Sequence, residues 1–504
     1  RSFDGQFTGD WRHRDNFFTT GTELDRGHRI LIKRGLQIQA LTFGTENASW
    51  WQNGLWGASN FTAPSFQARN PASQHIQPGQ PWASWIADFN DPANSMPANA
   101  TPYLSGLVSW SFADELDVGT PANRNKVKQW INKYRPLLPN TLLHTSEHGE
   151  QVSFEDMRTF MEVVKPDMVH FDAYPYLHDG WFNTPEGPRV VETTPWYMYW
   201  TMAKYRDLGL GGYDGTGNQP IPYGAWLQTF RFAWSQPGEW GGQNYQPGDD
   251  FGFWLPSESE MRLSQFAAWT YGYKFVSAFT YNDVFESADV FIDSPFFNSS
   301  PTGPFHTTVN PSQELSRYAE TNRQSLNLGP TLVRLLSTDV RFLPGAAWGS
   351  VEPINIPVQL PEAIDGWDAQ ADPYITAIEA ENLGTENGGL YSDVLVGYFN
   401  PLLEEFDGPA FEDEIYFMIT NGLAARDALV SETTQRITID FDFGSSGINS
   451  LQRLSRQNGQ VEVVSLDSLG GSLYQLVLEM EGGTGDLFKF NNGAPFVGIE
   501  ASAS

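Results

Sequence analysis

The chain has 504 residues, 40% of them hydrophobic, which is enough for roughly two or three domains with sizeable cores. Its formal net charge is −30, from 60 acidic and 30 basic residues. Because such a surface repels phosphate backbones, we expect no nucleic-acid partner. The absence of cysteine excludes disulfides, thiol catalysis and thiolate metal sites. No apolar run approaches the roughly 20 residues of a membrane helix, so we also expect no membrane insertion.

Six short segments are apolar on both faces and rich in β-branched or aromatic residues, as buried parallel strands are. They are residues 35–43, 106–113, 141–145, 168–173, 223–229 and 275–281. Helical patterns lie around them at 21–34, 121–135, 153–164, 194–208 and 257–271, the last beginning with a capping box of Ser257 and Glu260. The alternation of strand and helix predicts an α/β domain with a parallel sheet.

The pattern changes after a last predicted helix at 329–336. Residues 350–365 are rich in proline, and beyond them alternating polar and apolar segments predict strands at 389–398, 414–420, 436–443, 460–465, 473–478 and 486–490. We therefore predict an α/β plus all-β chain in three parts. Residues 1–345 form a (β/α)8 TIM-type barrel, 346–365 a linker and 366–504 a C-terminal antiparallel β-sandwich. The two strands still needed for the barrel are expected before Arg1 or within residues 1–20.

Aromatic residues make up 14% of the chain, including 18 Trp. Several of the tryptophans lie in stretches rich in Gly, Pro and Asn, where loops are expected. Aromatic rings on loops stack on sugars as well as on nucleobases. Since the charge disfavours nucleic acid, the composition predicts a carbohydrate partner.

Acidic residues follow three consecutive predicted strands. Asp114 and Glu115 end the second strand, Glu147 comes just after the third and Asp172 ends the fourth. In a (β/α)8 barrel these strand ends meet at the face that holds the active site. Carboxyl groups at close range raise one another's pKa, which gives a protonated acid beside an ionised partner. Cleavage of a glycosidic bond needs such a pair, so the catalytic candidates are Glu115, Asp172 and Glu147.

A set of aromatic and polar side chains at the same strand ends is expected to bind sugar hydroxyls and stack on sugar rings. Its members are Trp110, Asp114, Tyr174, Tyr176, Trp226, Gln228, Tyr281 and Asn282. No cofactor or metal is expected for catalysis. The acidic runs 403–407 and 412–414 offer oxygen ligands for a structural calcium ion, although such runs are more often solvated surface.

These stretches resemble a known superfamily, the clan A-type glycoside hydrolases with a beta-galactosidase-like or agarase-like (β/α)8 barrel. The strand that ends in Asp114-Glu115 resembles the fourth strand of that barrel. LLHTSEHG, KPDMVHFDAYPY and IPYGAWLQTF fit strands five to seven, and SESEMRLSQFAAWTYGYKFVSAFTY fits the next helix and strand eight. The likeness covers roughly residues 20–340 and does not identify one family. It implies that Glu115 is the general acid.

One residue departs from the superfamily pattern. The family places a nucleophilic Glu at the end of strand seven, where this chain has Gln228. An amide cannot form a glycosyl ester, so the second catalytic carboxyl is expected from Asp172, or otherwise from Glu147. Gln228 is then expected to bind substrate through its amide, and Trp226 to act as a stacking platform.

The sequence therefore predicts a secreted or periplasmic glycoside hydrolase that cleaves a polysaccharide or oligosaccharide. It is expected to be a monomer or a small homo-oligomer. Gln228 supports an alternative, a carbohydrate-binding protein without activity on a decayed hydrolase barrel. A third alternative is a structural or cell-surface subunit that uses its acidic faces and its β-sandwich for assembly.

Overall fold

In the computed structural model of the chain, the described residues are 38–41, 107–114, 117–136, 139–149, 152–176, 183–184, 187–188, 196–234, 238–240, 243–246, 253–279, 284–285, 290–293, 297–298, 310–311, 313–345, 364–386, 393–402, 414–490 and 496–499. The five helices among them are α1 (Pro121–Tyr134), α2 (Phe154–Val164), α3 (Trp196–Gly211), α4 (Glu258–Thr270) and α5 (Gln313–Leu332).

The N-terminal part of the chain contains fifteen of the described strands. They are β1 (Ile38–Leu41), β2 (Leu107–Asp114), β3 (Leu142–His148), β4 (Val169–Asp172), β5 (Asn183–Thr184), β6 (Gly187–Pro188), β7 (Tyr223–Gln228), β8 (Arg231–Trp234), β9 (Gly238–Trp240), β10 (Gln243–Tyr245), β11 (Phe275–Phe279), β12 (Val284–Phe285), β13 (Val290–Asp293), β14 (Phe297–Asn298) and β15 (Asn310–Pro311).

Six of these strands form one parallel sheet in the order β1-β2-β3-β4-β7-β11, which is also their order along the chain. All six strands predicted from the sequence are confirmed. The order is the one that a (β/α)8 barrel requires for six successive strands. Within the described residues no pairing joins β11 back to β1, so the closed barrel and its two further strands stay predictions.

Helices α1 to α4 each contribute apolar side chains to one core against this sheet. Ile131, Phe160, Tyr205 and Leu263, one from each helix, pack in the same cluster as alternate residues of the strands, such as Phe171. Side chains alternate between faces along a strand, so these four helices cover one face of the sheet. The predicted helix at 21–34 lies outside the described residues.

The join between α4 and β11 depends on a glycine. Gly272 has φ +85°, a left-handed conformation that a residue without Cβ adopts at little cost, and it follows the last turn of α4. The turn it makes directs the chain back into the parallel sheet at β11.

The C-terminal part of the chain contains ten strands among the described residues. They are β16 (Leu335–Leu343), β17 (Ile375–Asn382), β18 (Val394–Pro401), β19 (Tyr416–Asn421), β20 (Gln435–Asp442), β21 (Leu451–Leu454), β22 (Val461–Val464), β23 (Asp467–Gly470), β24 (Leu473–Met480) and β25 (Gly485–Phe490). They form two antiparallel sheets, in the orders β16-β18-β19-β25-β21-β22 and β17-β20-β24-β23. Apolar side chains of both sheets share one core, which includes Phe417, Phe488, Ile439 and Phe441.

The predicted strands of this part are confirmed, but β16, β17, β21 and β23 were not predicted. The helix predicted at 329–336 is wrong in its bounds, because α5 ends at Leu332 and β16 begins at Leu335. β16 pairs with β18, so the six-stranded sheet begins before the predicted linker. The predicted domain limits stay a prediction, and most of the linker, 346–363, lies outside the described residues.

Helix α4 lies between the parallel sheet and the six-stranded antiparallel sheet. It contacts β7 on one side and β18, β19 and β25 on the other, and eleven of its residues are buried. The approach is close at Gly397, where a Cβ would lie 2.4 Å from Thr270 O. Thr270 Oγ1 and Thr420 Oγ1 share a hydrogen bond of 2.7 Å across this junction. The helix therefore connects the two halves of the molecule through both packing and hydrogen bonds.

Candidate active site

Asp172 ends strand β4, and its side chain lies on the sheet face that the helices do not cover. In the register of the sheet it lies beside His148 of β3 and Trp226 of β7, so these three residues share one level and one face. Asp172 is 4% exposed and Trp226 is 2% exposed. Its backbone carbonyl accepts a hydrogen bond from Gly149 N at 3.0 Å, which fixes the end of the strand. The structure thus places a buried carboxyl group on the residue beside Trp226 at the C-terminal edge of the sheet.

Aromatic rings extend this site beyond Asp172. Tyr174 stacks against Phe279 with ring centroids 5.7 Å apart and meets Phe230 edge to face at 4.8 Å. Phe279 also contacts Trp226, at 5.8 Å. Tyr174 and Trp226 had been predicted as site residues, whereas Phe230 and Phe279 had not. Their positions at the ends of β7 and β11 were the signal that could have identified them.

Glu147 does not share a face with Asp172. It lies beside Phe171 in the register of β3 and β4, and the Phe171 ring packs at 4.6 Å from Tyr205 of helix α3. Register neighbours in parallel strands point to the same face, so the Glu147 side chain leaves the sheet on the helix-covered side. It is buried there, with 1% of its surface exposed. The structure therefore does not bring Glu147 and Asp172 together as a carboxyl pair.

Five other predicted residues are described only in part or not at all. Glu115, Tyr281 and Asn282 lie outside the described residues. For Asp114 the backbone alone is described, and it lies beside Ser146 in the register of β2 and β3. The same is true of Trp110, whose backbone lies beside Leu143. Their roles stay predictions.

The amide group of Gln228 is bound to the backbone. Its Oε1 accepts a hydrogen bond from Tyr176 N at 3.0 Å, and its Nε2 donates to Trp254 O at 3.0 Å, to Phe230 O at 3.2 Å and to Tyr176 O at 3.3 Å. Gln228 is only 1% exposed. A carboxylate here would have no proton to donate to three carbonyl oxygens, which is a physical reason for Gln at this strand end. In this geometry Gln228 holds the loop after β4 in place.

Tyr176 is likewise part of the framework. Its hydroxyl donates to Glu260 O at 2.7 Å and shares a hydrogen bond with Ser264 Oγ at 2.8 Å. Burial raises the pKa of this hydroxyl well above its ordinary value, so Tyr176 stays protonated. Glu260 itself completes the predicted capping box, in which Ser257 N donates to Glu260 Oε2 at 2.8 Å and Glu260 N donates to Ser257 Oγ at 3.2 Å.

Two histidines below the site form a pair that the sequence did not suggest. The rings of His144 and His170 lie 5.0 Å apart, and Ser146 Oγ shares a hydrogen bond of 3.1 Å with His170 Nδ1. His170 also meets Trp226 edge to face at 5.7 Å. Burial lowers the pKa of His144 to about 4, and burial together with the nearby His144 lowers that of His170 well below its ordinary value. Both rings are therefore neutral at pH 7.

The described parts of the chain contain no cluster of side chains suited to a metal ion and no helix suited to cross a membrane. No group of three or more His, Asp or Glu side chains there is placed to hold a metal ion. Of the acidic runs predicted as calcium ligands, 403–407 and 412–413 fall outside those parts, and Glu414 Oε2 lies 3.1 Å from Lys489 Nζ in a buried ion pair. None of the described helices is both long and apolar enough to cross a membrane.

Comparisons with known proteins give structural similarities only. No protein-family model matches the chain, and no curated protein matches its sequence. A solved structure titled a glycoside hydrolase has a TM-score of 0.40 and 9% identity, over 94% of this chain and 89% of that one. A family 5 glycoside hydrolase from Bacteroides vulgatus gives 0.39 and 9%, over 94% and 86%. The endo-beta-1,4-mannanase of Thermotoga petrophila gives 0.35 and 10%, over 92% and 78%.

These solved structures do not identify the family of this chain. At TM-scores of 0.40 or below they carry no argument about the activity or the site. The function is therefore inferred from the chemistry of the residues themselves.

Proposed function

We propose that the chain is a glycoside hydrolase that acts on a polysaccharide or oligosaccharide. The observation that carries the proposal is the position of Asp172, a buried carboxyl group at the C-terminal edge of a parallel sheet, level with Trp226 and next to the Tyr174 ring cluster. A carboxyl group can act as nucleophile or base towards a glycosidic bond, and aromatic rings stack on sugars.

Glu115 is the proposed general acid, as the resemblance to clan A-type enzymes implies. Asp172 is the proposed second carboxyl, because Glu147 leaves the opposite face of the sheet and Gln228 is bound to the backbone. In such a pair the acid protonates the leaving oxygen while the second group attacks the sugar or activates water. A short separation between the two groups gives retention at the anomeric carbon, and a longer one that admits water gives inversion.

The first experiment is product analysis after incubation with a panel of algal and plant polysaccharides. The parent chain is expected to release oligosaccharides from at least one of them. Glu115→Gln and Asp172→Asn are each expected to lower kcat by about a hundredfold or more while glycan binding remains, because both keep the shape of the side chain. Glu155→Gln, an exposed change on α2, is the matched control and should behave as the parent.

A second function is favoured by one observation, the four backbone hydrogen bonds of Gln228 at the strand end where clan A-type enzymes have their nucleophile. That function is carbohydrate binding without hydrolysis. Glycan binding by the parent with no product from any substrate would favour it.

Full activity of Asp172→Asn would refute the proposed role of Asp172.

A further inference from the structure

Trp254 joins the loops of the candidate site to the C-terminal part of the chain. Its backbone N donates to Tyr176 O at 3.2 Å, and its backbone O accepts from Gln228 Nε2 at 3.0 Å. Its indole N–H lies 3.3 Å from both carboxyl oxygens of Glu260. The side chain is 1% exposed. Trp254 is therefore fixed to Tyr176, four residues after Asp172, and to the end of strand β7.

The opposite side of Trp254 meets the loop between β19 and β20 of the C-terminal part. The Arg426 guanidinium lies over the Trp254 ring, with Cζ 5.2 Å from the ring centroid, which is a cation–π contact. The same positive charge opposes the larger effect of burial on Glu260, and together these influences leave the pKa of that carboxyl raised to about 7. Arg426 therefore acts on two groups. They are the indole ring of Trp254 and the Glu260 carboxyl that accepts the indole N–H.

Hydrogen bonds hold this loop against the N-terminus of α4. Ala425 O accepts from Ser257 Oγ at 2.8 Å and from Ser259 Oγ at 3.2 Å, and Ala425 N donates to Ser259 Oγ at 3.2 Å. Ser259 N also donates to Ala428 O at 3.3 Å. The loop is therefore held against α4, which keeps the backbone of Arg426 near Trp254.

We propose that Arg426 is a positioning residue of the candidate site, acting from the C-terminal part of the chain through Trp254, Gln228 and Tyr176 on the loop that follows Asp172. The inference rests on the proposed function for its catalytic readout. Its physical content is a continuous set of contacts, from the guanidinium to the indole, from Trp254 O to the Gln228 amide, and from that amide to Tyr176 N. Loss of the first contact removes one partner of the indole ring, and small displacements of a catalytic group cost much of the rate.

The test compares Arg426→Ala and Arg426→Lys with the parent and with Arg436→Ala. Arg436 is the matched control because it is an arginine of the same part of the chain, at the start of β20, with a side chain that is 41% exposed and pairs with Glu381 and Glu479. Two quantities are measured in the full chain. They are amide hydrogen exchange in segments 173–176 and 253–257, and kcat and KM on a polysaccharide that the parent cleaves.

Arg426→Ala is expected to speed exchange in both segments and to lower kcat about tenfold with a smaller change in KM. Arg426→Lys keeps a cation near the ring and should recover part of both effects, while Arg436→Ala should match the parent. If Arg426→Ala does not fold, Arg426→Gln takes its place, because it removes the charge and keeps most of the stem.

Unchanged exchange in both segments, or a kcat equal to that of Arg436→Ala, would overturn the proposal. If the parent neither cleaves nor binds any glycan, the proposed function fails while the exchange experiment still decides whether Arg426 positions the loop. The two hypotheses can therefore fail separately.

Discussion

Gln228 and Tyr176 are joined by hydrogen bonds in both directions, from Tyr176 N to Gln228 Oε1 at 3.0 Å and from Gln228 Nε2 to Tyr176 O at 3.3 Å. A side-chain amide can make this reciprocal pair with a peptide group because it has both a donor and an acceptor. The two hydrogen bonds link the end of strand β7 to the loop that follows Asp172, the last residue of strand β4. It gives Gln228 a role in the framework in place of the substrate-binding role expected from sequence alone.

Replacing Gln228 with Glu is expected to destabilise the chain and to give no gain in activity. The new carboxylate would face the carbonyl oxygens of Tyr176, Phe230 and Trp254 with no proton to donate, at a cost of about 2 kcal/mol or more. Burial would also raise its pKa, so the loss should shrink as the pH falls and the acid regains its proton.

The measurement is the melting temperature of Gln228→Glu at pH 5 and pH 8, with Gln370→Glu on the exposed surface as the control. A melting temperature equal to that of the parent at pH 8 would contradict the role assigned to the amide. So would a gain in hydrolysis.

The buried histidines predict a pH dependence. The pKa of His144 is 6.5 in its ordinary state and about 4 in the fold, so below pH 6.5 the unfolded chain binds the extra proton. Neutral His144 makes its full contribution to the free energy of unfolding above pH 6.5. About 3 kcal/mol of that contribution is lost as the pH falls towards 4. The variant His144→Asn can still donate to Thr145 O, and it lacks the group whose protonation causes this loss of stability at low pH.

The measurement is the melting temperature of His144→Asn minus that of the parent, taken at several pH values from 7.5 down to 4.5. This difference should rise as the pH falls, because only the parent loses stability through the protonation of His144. Comparing the two proteins at each pH cancels the titration of Glu260 and Asp393, whose pKa values burial raises to about 7. Thr376→Ala serves as an exposed control, and parallel curves for His144→Asn and the parent would refute the prediction.

Lys489 and Glu414 form an ion pair of 3.1 Å with side chains that are 0% and 2% exposed. Glu414→Gln removes the carboxylate that faces a buried ammonium group and is expected to cost about 3 kcal/mol. The double variant Glu414→Gln with Lys489→Met removes both charges and should recover much of that loss, because an apolar stem of similar volume replaces the lysine.

The control is Glu381→Gln. It breaks an exposed ion pair with Arg436 and should change the melting temperature little. Equal losses for Glu414→Gln and Glu381→Gln would mean that burial does not strengthen the first pair. A double variant less stable than Glu414→Gln alone would contradict the same explanation.

Local signals predicted most of the parallel sheet. Each of its six described strands is a short apolar run, and Ser257 with Glu260 marks the start of α4 through a capping box that the structure contains. Strand β16 was missed because its alternating residues follow the helical pattern of α5 with no Gly or Pro between Leu332 and Leu335. Its partner, β18, begins about fifty residues later, and no local pattern reports such a distant pairing.

The sequence by itself determined that the chain alternates strand and helix and then turns to antiparallel strands, because periodicity and capping are properties of neighbouring residues. It also placed Asp172 at a strand end. Only the tertiary structure decided that the Glu147 side chain points to the helix-covered face of the sheet, opposite to that of Asp172. It also decided that the Gln228 amide is hydrogen-bonded to backbone groups and that Arg426 lies over the Trp254 ring. Those facts depend on register and on contacts between residues far apart in the chain, which form only when the sheets and helices pack together.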